Sequence, residues 1–192
     1  MEVSDRALAG ALVRRIALIN PGIGRVARHL KALVPDAVFD LCSRDVLSLR
    51  ATMDNLGFTT HQVQTAATFT PAQAYTDAGT GAHPETLVHA GSTGTGDPDH
   101  ASPGTATVAS FPSELPGFSY DLLVEDVETT PRVDTSADVW EAACRLLKQG
   151  AVYMACAPST TMERLERVRP SGWEKLGQVR RKGVVCAMWR KG

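Results

Sequence analysis

Two glycines and one aspartate are spaced as in a site that binds a nucleoside. Gly22 and Gly24 follow the short apolar run Arg15 to Ile19 and precede a segment with helical spacing. This pattern predicts a strand, a glycine turn and a helix, in which backbone N–H groups can approach a ligand closely. Asp40 follows Gly24 by sixteen residues at the end of a second predicted strand, where a carboxylate can accept hydrogen bonds from both ribose hydroxyls. The structural alternative is a tight turn beside an unrelated Asp.

The first half of the chain alternates between helical and strand-like segments. Arg6 to Arg14 predicts a short helix, and the run Ala37 to Leu41 predicts the second strand. Ser43 is predicted to cap a helix that Gly57 ends. The predicted order of strand, helix, strand and helix is therefore complete by residue 57 and is typical of an α/β domain with a mainly parallel sheet.

The second half continues this alternation and ends differently. The runs Tyr120 to Glu125 and Ala151 to Cys156 predict strands on either side of a helix that Gly150 ends and that buries Trp140. A helix from Thr160 to Val168 follows the second of these strands. The strand-like segments on either side of the basic turn Arg180-Arg181-Lys182-Gly183 predict a C-terminal antiparallel hairpin.

The segment from about residue 68 to residue 106 differs in composition from the rest. It is rich in Gly, Thr, Ala, Ser, Pro and Asp, and it is longer than ordinary loops. We interpret residues 1–192 as one domain that carries this low-complexity insertion. The insertion contains His83, His89 and His100, whose spacing matches no metal-site template, so the sequence predicts no metal ion.

Charge is distributed unevenly along a chain whose formal net charge is −1. No Lys or Arg occurs between Ala51 and Pro131, a stretch with ten acidic residues, whereas Arg164 to Lys191 holds nine basic residues and two acids. The basic region could contact phosphates of RNA or of a ribonucleoprotein. The alternative is a solvated helix face and hairpin edge.

The cysteines and the hydropathy favour an intracellular protein, in the cytoplasm or an organelle. Cys42, Cys144, Cys156 and Cys186 form no CxxC pair and lie in apolar runs, which predicts reduced thiols in the core. No window approaches 18 uninterrupted apolar residues, and the first fifteen residues lack the apolar stretch of a secretory signal.

The glycine turn suits a nicotinamide dinucleotide, with Gly22-x-Gly24-x-x-Ala27 around the pyrophosphate, and it equally suits S-adenosylmethionine. The end of the chain favours the second cofactor, because it resembles the small-domain family of class I methyltransferases, and within it the enzymes that methylate N2 of guanine in ribosomal RNA. The resemblance is carried, in order along the chain, by IALINPGIGRVA at 16–27, DLCSRDVLSLRATMDNLG at 40–57, VASFPSELPGFSYDLLVEDVE at 108–128 and AACRLLKQGAVY at 142–153. It implies a Rossmann-like sandwich with a C-terminal hairpin, and S-adenosylmethionine bound by Gly22, Gly24 and Asp40.

The chain departs from this family at the positions that carry chemistry. Leu18 replaces the acid of the first strand, Asn20 replaces the first glycine of the turn, and Phe111 replaces the acid expected near the adenine. Asp126-Val127-Glu128-Thr129 replaces the Asn-Pro-Pro-Phe motif, so Asp126 alone could accept hydrogen bonds from a substrate amine.

These departures leave two functional hypotheses open. In the first, the domain has reduced or lost catalysis and serves as a binding or assembly module on RNA or the ribosome, through Arg164 to Lys191 or through a protein partner. In the second, it is an active S-adenosylmethionine-dependent enzyme, with Asp126 holding the acceptor. A nicotinamide-linked enzyme is a third, less favoured reading.

Overall fold

The computed structural model describes residues 13–22, 24–57, 63–65, 106–127 and 136–192. Within them a single eight-stranded sheet has the order β3-β4-β2-β1-β5-β6-β8-β7. Its strands are β1 (Arg15–Ile19), β2 (Val38–Cys42), β3 (Val63–Thr65), β4 (Ala106–Ala109), β5 (Tyr120–Asp126), β6 (Leu147–Pro158), β7 (Trp173–Arg181) and β8 (Val184–Lys191). The helices are α1 (Arg25–Leu33), α2 (Val46–Leu56), α3 (Ser136–Leu146) and α4 (Ser159–Arg167), and Pro112–Glu114 forms a short 3₁₀ turn.

The first six strands of the sheet order run parallel to one another, which confirms the predicted α/β class. β1 lies between β2 and β5, with Ile19 opposite both Cys42 and Glu125. Four of the five residues of β1 are buried, because helices cover both faces of the sheet. The carboxyl ends of β1, β2, β4, β5 and β6 therefore meet at one edge of the sheet, which we call the carboxyl edge.

The last two strands form the predicted antiparallel hairpin. β8 runs antiparallel to β6, with Val184 opposite Pro158, and β7 pairs with β8 on the outer side. The two-residue turn of the hairpin consists of Lys182 and Gly183, with φ of 49° and 85°. Positive φ at both positions is the geometry that matches the twist of two hairpin strands.

The helices divide the core into two layers. α1 and α2 pack on one face, where Leu30 and Leu56 join Ile16 and Leu18 of β1. α3 and α4 pack on the other face, where the buried Trp140 lies. Its ring contacts those of Tyr153, Trp173 and Trp189 edge to face, with centroids 5.1–5.4 Å apart, and its indole N–H donates to the Leu165 carbonyl at 2.9 Å. The prediction that Trp140 is a core residue is confirmed.

Two predicted helix boundaries are wrong. Asp45, and not Ser43, caps α2, because its carboxylate accepts the Leu47 N–H at 3.0 Å. α3 ends at Leu146, and β6 begins at the next residue, so Gly150 lies inside the strand with φ of 75° instead of ending the helix. Glycine often ends helices, but here the helix ends earlier, because pairing of β6 with β5 already begins at Leu147, opposite Tyr120.

The prediction of four reduced cysteines is also wrong. Cys156 and Cys186 lie directly opposite each other on β6 and β8, with Cα atoms 4.2 Å apart, and form a disulfide. Cys42 is buried and reduced, and Cys144 is partly buried and reduced. A separation of 30 residues in sequence does not reveal that two cysteines become cross-strand neighbours.

Several predictions fall outside the described residues. The predicted helix from Arg6 to Arg14 lies outside them except for its last two residues. The insertion at 68–106 lies outside them except for residue 106, and so do His83, His89 and His100. The single domain with an insertion therefore stays a prediction. Within the described ranges no helix is both long and apolar enough to cross a membrane.

Candidate functional site

A cleft of about 340 Å³ opens at the carboxyl edge, beside the ends of β1 and β2. This volume is at the lower end of the range for small-molecule sites, and the carboxyl end of a parallel sheet is where such sites form in α/β folds. Its lining combines the glycine turn with the beginning of α2 and consists of Asn20, Gly22, Ser43, Asp45, Leu47, Ser48 and Ala51.

Gly22 is the predicted site residue that lines this cleft, and Asp126 lies next to it. Gly22 has φ of 57°, and a Cβ placed on it would lie 3.9 Å from the Asp126 carboxylate oxygen Oδ2. Asp126 is the last residue of β5, so the neighbouring ends of β1 and β5 bring the two together. On the other side, the Ser48 hydroxyl donates to the Gly22 carbonyl at 2.5 Å and fixes the turn against α2.

Gly24 is required by packing between helices and does not line the cleft. With φ of 76° it precedes α1, and a Cβ at this position would lie only 2.7 Å from the Thr52 Cα. Any side chain would therefore push α1 and α2 apart. Packing between α1 and α2 therefore explains the glycine at position 24 without any contact to a ligand.

Asp40 lies in the interior of the sheet, and the prediction that it ends the second strand is wrong. β2 continues to Cys42, so Asp40 is its middle residue and is fully buried. Its Oδ2 lies 2.6 Å from the Arg15 Nε, and its Oδ1 accepts the Thr107 N–H at 3.2 Å. Asp40 is not among the residues that line the cleft. The ribose role assigned to it stays a prediction that this geometry does not favour.

Asp45 and Ser43 are two polar residues of the cleft that sequence reasoning did not assign to the site. Both follow the true end of β2 and line the cleft, and Asp45 is exposed. Asp45 accepts the Leu47 N–H through Oδ1, and the Ser43 hydroxyl accepts the Asp45 N–H at 3.1 Å. The signal that could have found Asp45 is its position as an N-cap residue directly after an apolar strand.

A buried carboxyl group lies beside Asp126 on the opposite face of β5. Glu125 is 5% exposed, and the Tyr153 hydroxyl donates to its Oε2 at 3.0 Å. Burial raises the pKa of Glu125 to about 7, the Tyr153 hydrogen bond opposes this rise, and the Asp126 charge adds to it.

The pKa of Cys42 is raised to about 12, mainly by burial and also by the charges of Glu114 and Glu125. Cys42 is therefore a protonated thiol and no nucleophile at neutral pH.

Whether these residues fit S-adenosylmethionine can be judged at each end of the cofactor. Ser43 and Asp45 offer polar atoms suited to the hydroxyl groups of a sugar. At the other end, Leu18 is 1% exposed and packs in the apolar layer with α1, so β1 offers no carboxylate for the methionine part. The fit is therefore partial.

The Glu114 side chain holds the loop that follows β4. The Glu114 carboxylate accepts the N–H groups of Ser110 and Phe111 at 2.8 and 3.3 Å. Phe111 is 45% exposed, and the Arg44 guanidinium lies 5.3 Å from its ring centroid. At the end of β5, Asp126 and Val127 are described, whereas Glu128 and Thr129 lie outside the described residues.

The basic region Arg164 to Lys191 spreads over α4, β7 and β8. Some of its cations form ion pairs: Lys175 and Arg169 with Glu166, and Arg190 with Glu174. Among the described residues no cluster of His, Cys, Asp and Glu could hold a metal ion.

Comparison with known proteins gives a fold but no sequence family. No protein-family model matches the chain, and no curated protein matches it significantly. Among solved structures, it is similar to the N-methyltransferase NodS from Bradyrhizobium japonicum, with 8% identity over 99% of this chain and 92% of that one and a TM-score of 0.58. A TehB-like SAM-dependent methyltransferase from Corynebacterium glutamicum has 12% identity over 100% of this chain and 87% of that one, with a TM-score of 0.54.

The chain has the class I methyltransferase fold. A third similar structure with this fold is the fibrillarin pre-rRNA processing protein of Methanococcus jannaschii, with 11% identity over 94% of this chain and 67% of that one and a TM-score of 0.55. The mostly parallel sheet that ends in an antiparallel pair confirms the predicted Rossmann-like methyltransferase sandwich. Identities this low bear on the fold alone.

Proposed function

We propose that this chain is a methyltransferase-fold protein with reduced or lost catalysis that acts as a binding or assembly module on RNA or a ribonucleoprotein. The observation that carries the proposal is the nature of residue 18. Leu18 is buried among apolar side chains where the resembled enzymes have an acid, so the glycine turn lacks the carboxylate that helps to bind the cofactor. The core around it is intact, which is expected when a fold is kept for a purpose other than its chemistry.

Two further observations support the association with RNA. The exposed basic hairpin turn at Arg180, Arg181 and Lys182 provides cations that can contact phosphates. The similar fibrillarin structure is described as a pre-rRNA processing protein. A protein partner within the same particle is compatible with this role.

A second candidate function is an active S-adenosylmethionine-dependent methyltransferase, and the position of Asp126 favours it. Its carboxylate lies beside Gly22, which lines the cleft, and from there it could accept hydrogen bonds from a substrate amine and orient the nitrogen. In this case Gly22, Asp45 and Ser43 would hold the cofactor, and Gly24 would act only through the position of α1.

Calorimetric titration with S-adenosylmethionine and S-adenosylhomocysteine separates the two functions. The proposal expects no binding below about millimolar concentration, because one end of the site lacks its charged partner. The opposite result is micromolar binding that is lost in Asp45→Ala and kept in the control Asp54→Ala, which lies near the other end of α2. This result would overturn the proposed loss of catalysis and favour the active enzyme. Retention of a labelled RNA by the wild-type chain at moderate salt is the accompanying positive result that the proposal requires.

A further inference from the structure

The basic hairpin turn lies at the carboxyl edge, on the same side of the sheet as the cleft. Val184, the first residue after the turn, is opposite Pro158 at the end of β6. The Ser159 N–H and hydroxyl both donate to the Gly183 carbonyl, at 3.0 and 3.1 Å, and so fix the turn to the beginning of α4. The backbone of this turn therefore has a defined place relative to the cleft.

The cations of this turn differ from Arg169, Lys175 and Arg190 of the basic region, which form ion pairs. Arg180, Arg181 and Lys182 are all exposed, and the structure gives them no ion pair with any residue in the part of the chain that it describes. Three consecutive exposed cations concentrate positive charge at this end of the hairpin. Such a surface attracts a polyanion, and its attraction weakens as salt is added.

The opposite end of the carboxyl edge carries an exposed aromatic side chain. Phe111 follows β4 and Arg44 follows β2, and the guanidinium lies 5.3 Å from the ring centroid while the ring stays 45% exposed. The two hydrogen bonds to Glu114 hold the Phe111 backbone in place. A fixed, solvent-facing pair of an aromatic ring and a guanidinium is a surface on which an unpaired nucleobase stacks.

The two features are separated by a distance that a short nucleic acid can span. From β4 to β7 there are six spacings between neighbouring strands, which at about 4.8 Å each amount to about 29 Å. The cleft lined by Gly22 lies between them, because it opens beside the ends of β1 and β2, which both lie within this row of strands.

We propose that a single-stranded nucleic acid runs along the carboxyl edge, with a base stacked on Phe111 and Arg44 and with phosphates on Arg180, Arg181 and Lys182. This inference rests on the proposed association with RNA and specifies its path and its strandedness. A duplex is disfavoured because its bases are stacked on one another and offer no free face to Phe111. The path passes over the cleft, so a base of the strand comes close to Asp126.

Fluorescence anisotropy with a labelled mixed-sequence 12-nucleotide RNA tests the phosphate contacts. The variant Arg180→Gln/Arg181→Gln is expected to lower the affinity about tenfold at low salt and to reduce the salt slope by about 1.4, as two lost phosphate contacts would. The matched control is Arg164→Gln/Arg167→Gln, which removes the same charge from exposed positions on α4 and is expected to change the affinity less than about twofold.

A second variant and its matched control test the stacking contact. Phe111→Ala is expected to weaken binding about fivefold to a hundredfold with an unchanged salt slope, because base stacking involves no counterion release. Phe118→Ala is the control, since Phe118 is 67% exposed and has Lys191 4.9 Å from its ring centroid, but lies before β5 at the opposite edge. Its affinity should equal that of the wild type.

The outcomes separate the path from the association itself. Any of three results would overturn the path while RNA association stands. The two double arginine variants lose affinity equally, Phe111→Ala binds with unchanged affinity, or the wild-type chain binds a 12-base-pair RNA duplex as tightly as the single strand. Failure of the wild-type chain to bind either RNA would overturn the proposed RNA association as well.

Discussion

The Asp40 carboxylate lies 2.6 Å from the Arg15 Nε, within the sheet and outside the cleft. Both side chains are shielded from solvent, with Asp40 fully buried and the Arg15 side chain 14% exposed. The aspartate that resembles a ribose ligand in sequence is therefore half of a buried ion pair between β1 and β2.

Removal of Asp40 is expected to destabilise the fold without a specific effect on ligand binding. Asp40→Asn removes the carboxylate charge that pairs with the Arg15 guanidinium inside the sheet, which costs about 3–5 kcal/mol in the free energy of unfolding. The double variant Arg15→Met/Asp40→Leu should recover much of this loss, since no charge is then left buried. Urea unfolding of the three proteins checks both statements. A stable Asp40→Asn protein with abolished ligand binding would contradict them and return Asp40 to the site.

Gly24 and Gly57 provide a matched comparison of steric requirement. Both have positive φ, of 76° and 69°, but a Cβ on Gly24 would lie 2.7 Å from the Thr52 Cα, whereas one on Gly57 would have no neighbour within 4 Å. Gly57→Ala is expected to cost about 1–2 kcal/mol from backbone conformation alone. Gly24→Ala should cost at least about 2 kcal/mol more, because α1 and α2 must separate. Thermal or urea unfolding measures the difference, and equal losses would show that the contact with Thr52 relaxes freely.

Glu125 should make the stability of the chain depend on pH. Its pKa is raised from 4.5 to about 7, so the folded state holds this proton more tightly than the unfolded chain does. Its contribution is complete below about pH 4.5 and decreases by about 3 kcal/mol as the pH rises to about 7, after which it is constant. Glu125→Gln removes this titration and is expected to be more stable than the wild type at pH 8 by about that amount, and similar to it at pH 5.

The measurement is urea unfolding of the two proteins at pH 5, 6, 7 and 8. Glu174→Gln is the control, because the Glu174 side chain is 68% exposed and its loss should leave the slope unchanged. Parallel stability curves for wild type and Glu125→Gln would contradict the raised pKa.

The disulfide predicts a definite number of titratable thiols. The unfolded, unreduced chain should show two thiols, from Cys42 and Cys144, and four after reduction. Closing a loop across a sequence separation of 30 residues lowers the entropy of the unfolded chain, so Cys156→Ser/Cys186→Ser is expected to lose about 3–4 kcal/mol in an oxidising buffer. The loss should vanish when wild type and variant are compared in reductant. Four thiols before reduction would contradict the pairing.

Most of the fold could be predicted because its signals are local. The apolar runs of β1, β5 and β8 and the helical spacing of α1, α2 and α4 each lie within one short segment, and burial then acts on segments that already match the period of a strand or a helix. The positive charge and glycine of the hairpin turn were equally visible. Boundaries were less accurate, because pairing between strands decides them: β6 extends from Leu147 to Pro158 since β5 and β8 offer partners along that length.

The composition of the site could be predicted only in part. By itself, the sequence determined the class of the fold, the turn at Gly22, and the presence of Leu at position 18 and Asp at position 126, since these depend on residue type and order. The tertiary structure alone decided that Asp40 pairs with Arg15 while Asp45 lines the cleft, that Gly24 serves helix packing, and that Cys156 meets Cys186. The reason is physical: each of these facts is a contact between segments distant in sequence, and the register of two strands or the approach of two helices is fixed only when the whole core is packed.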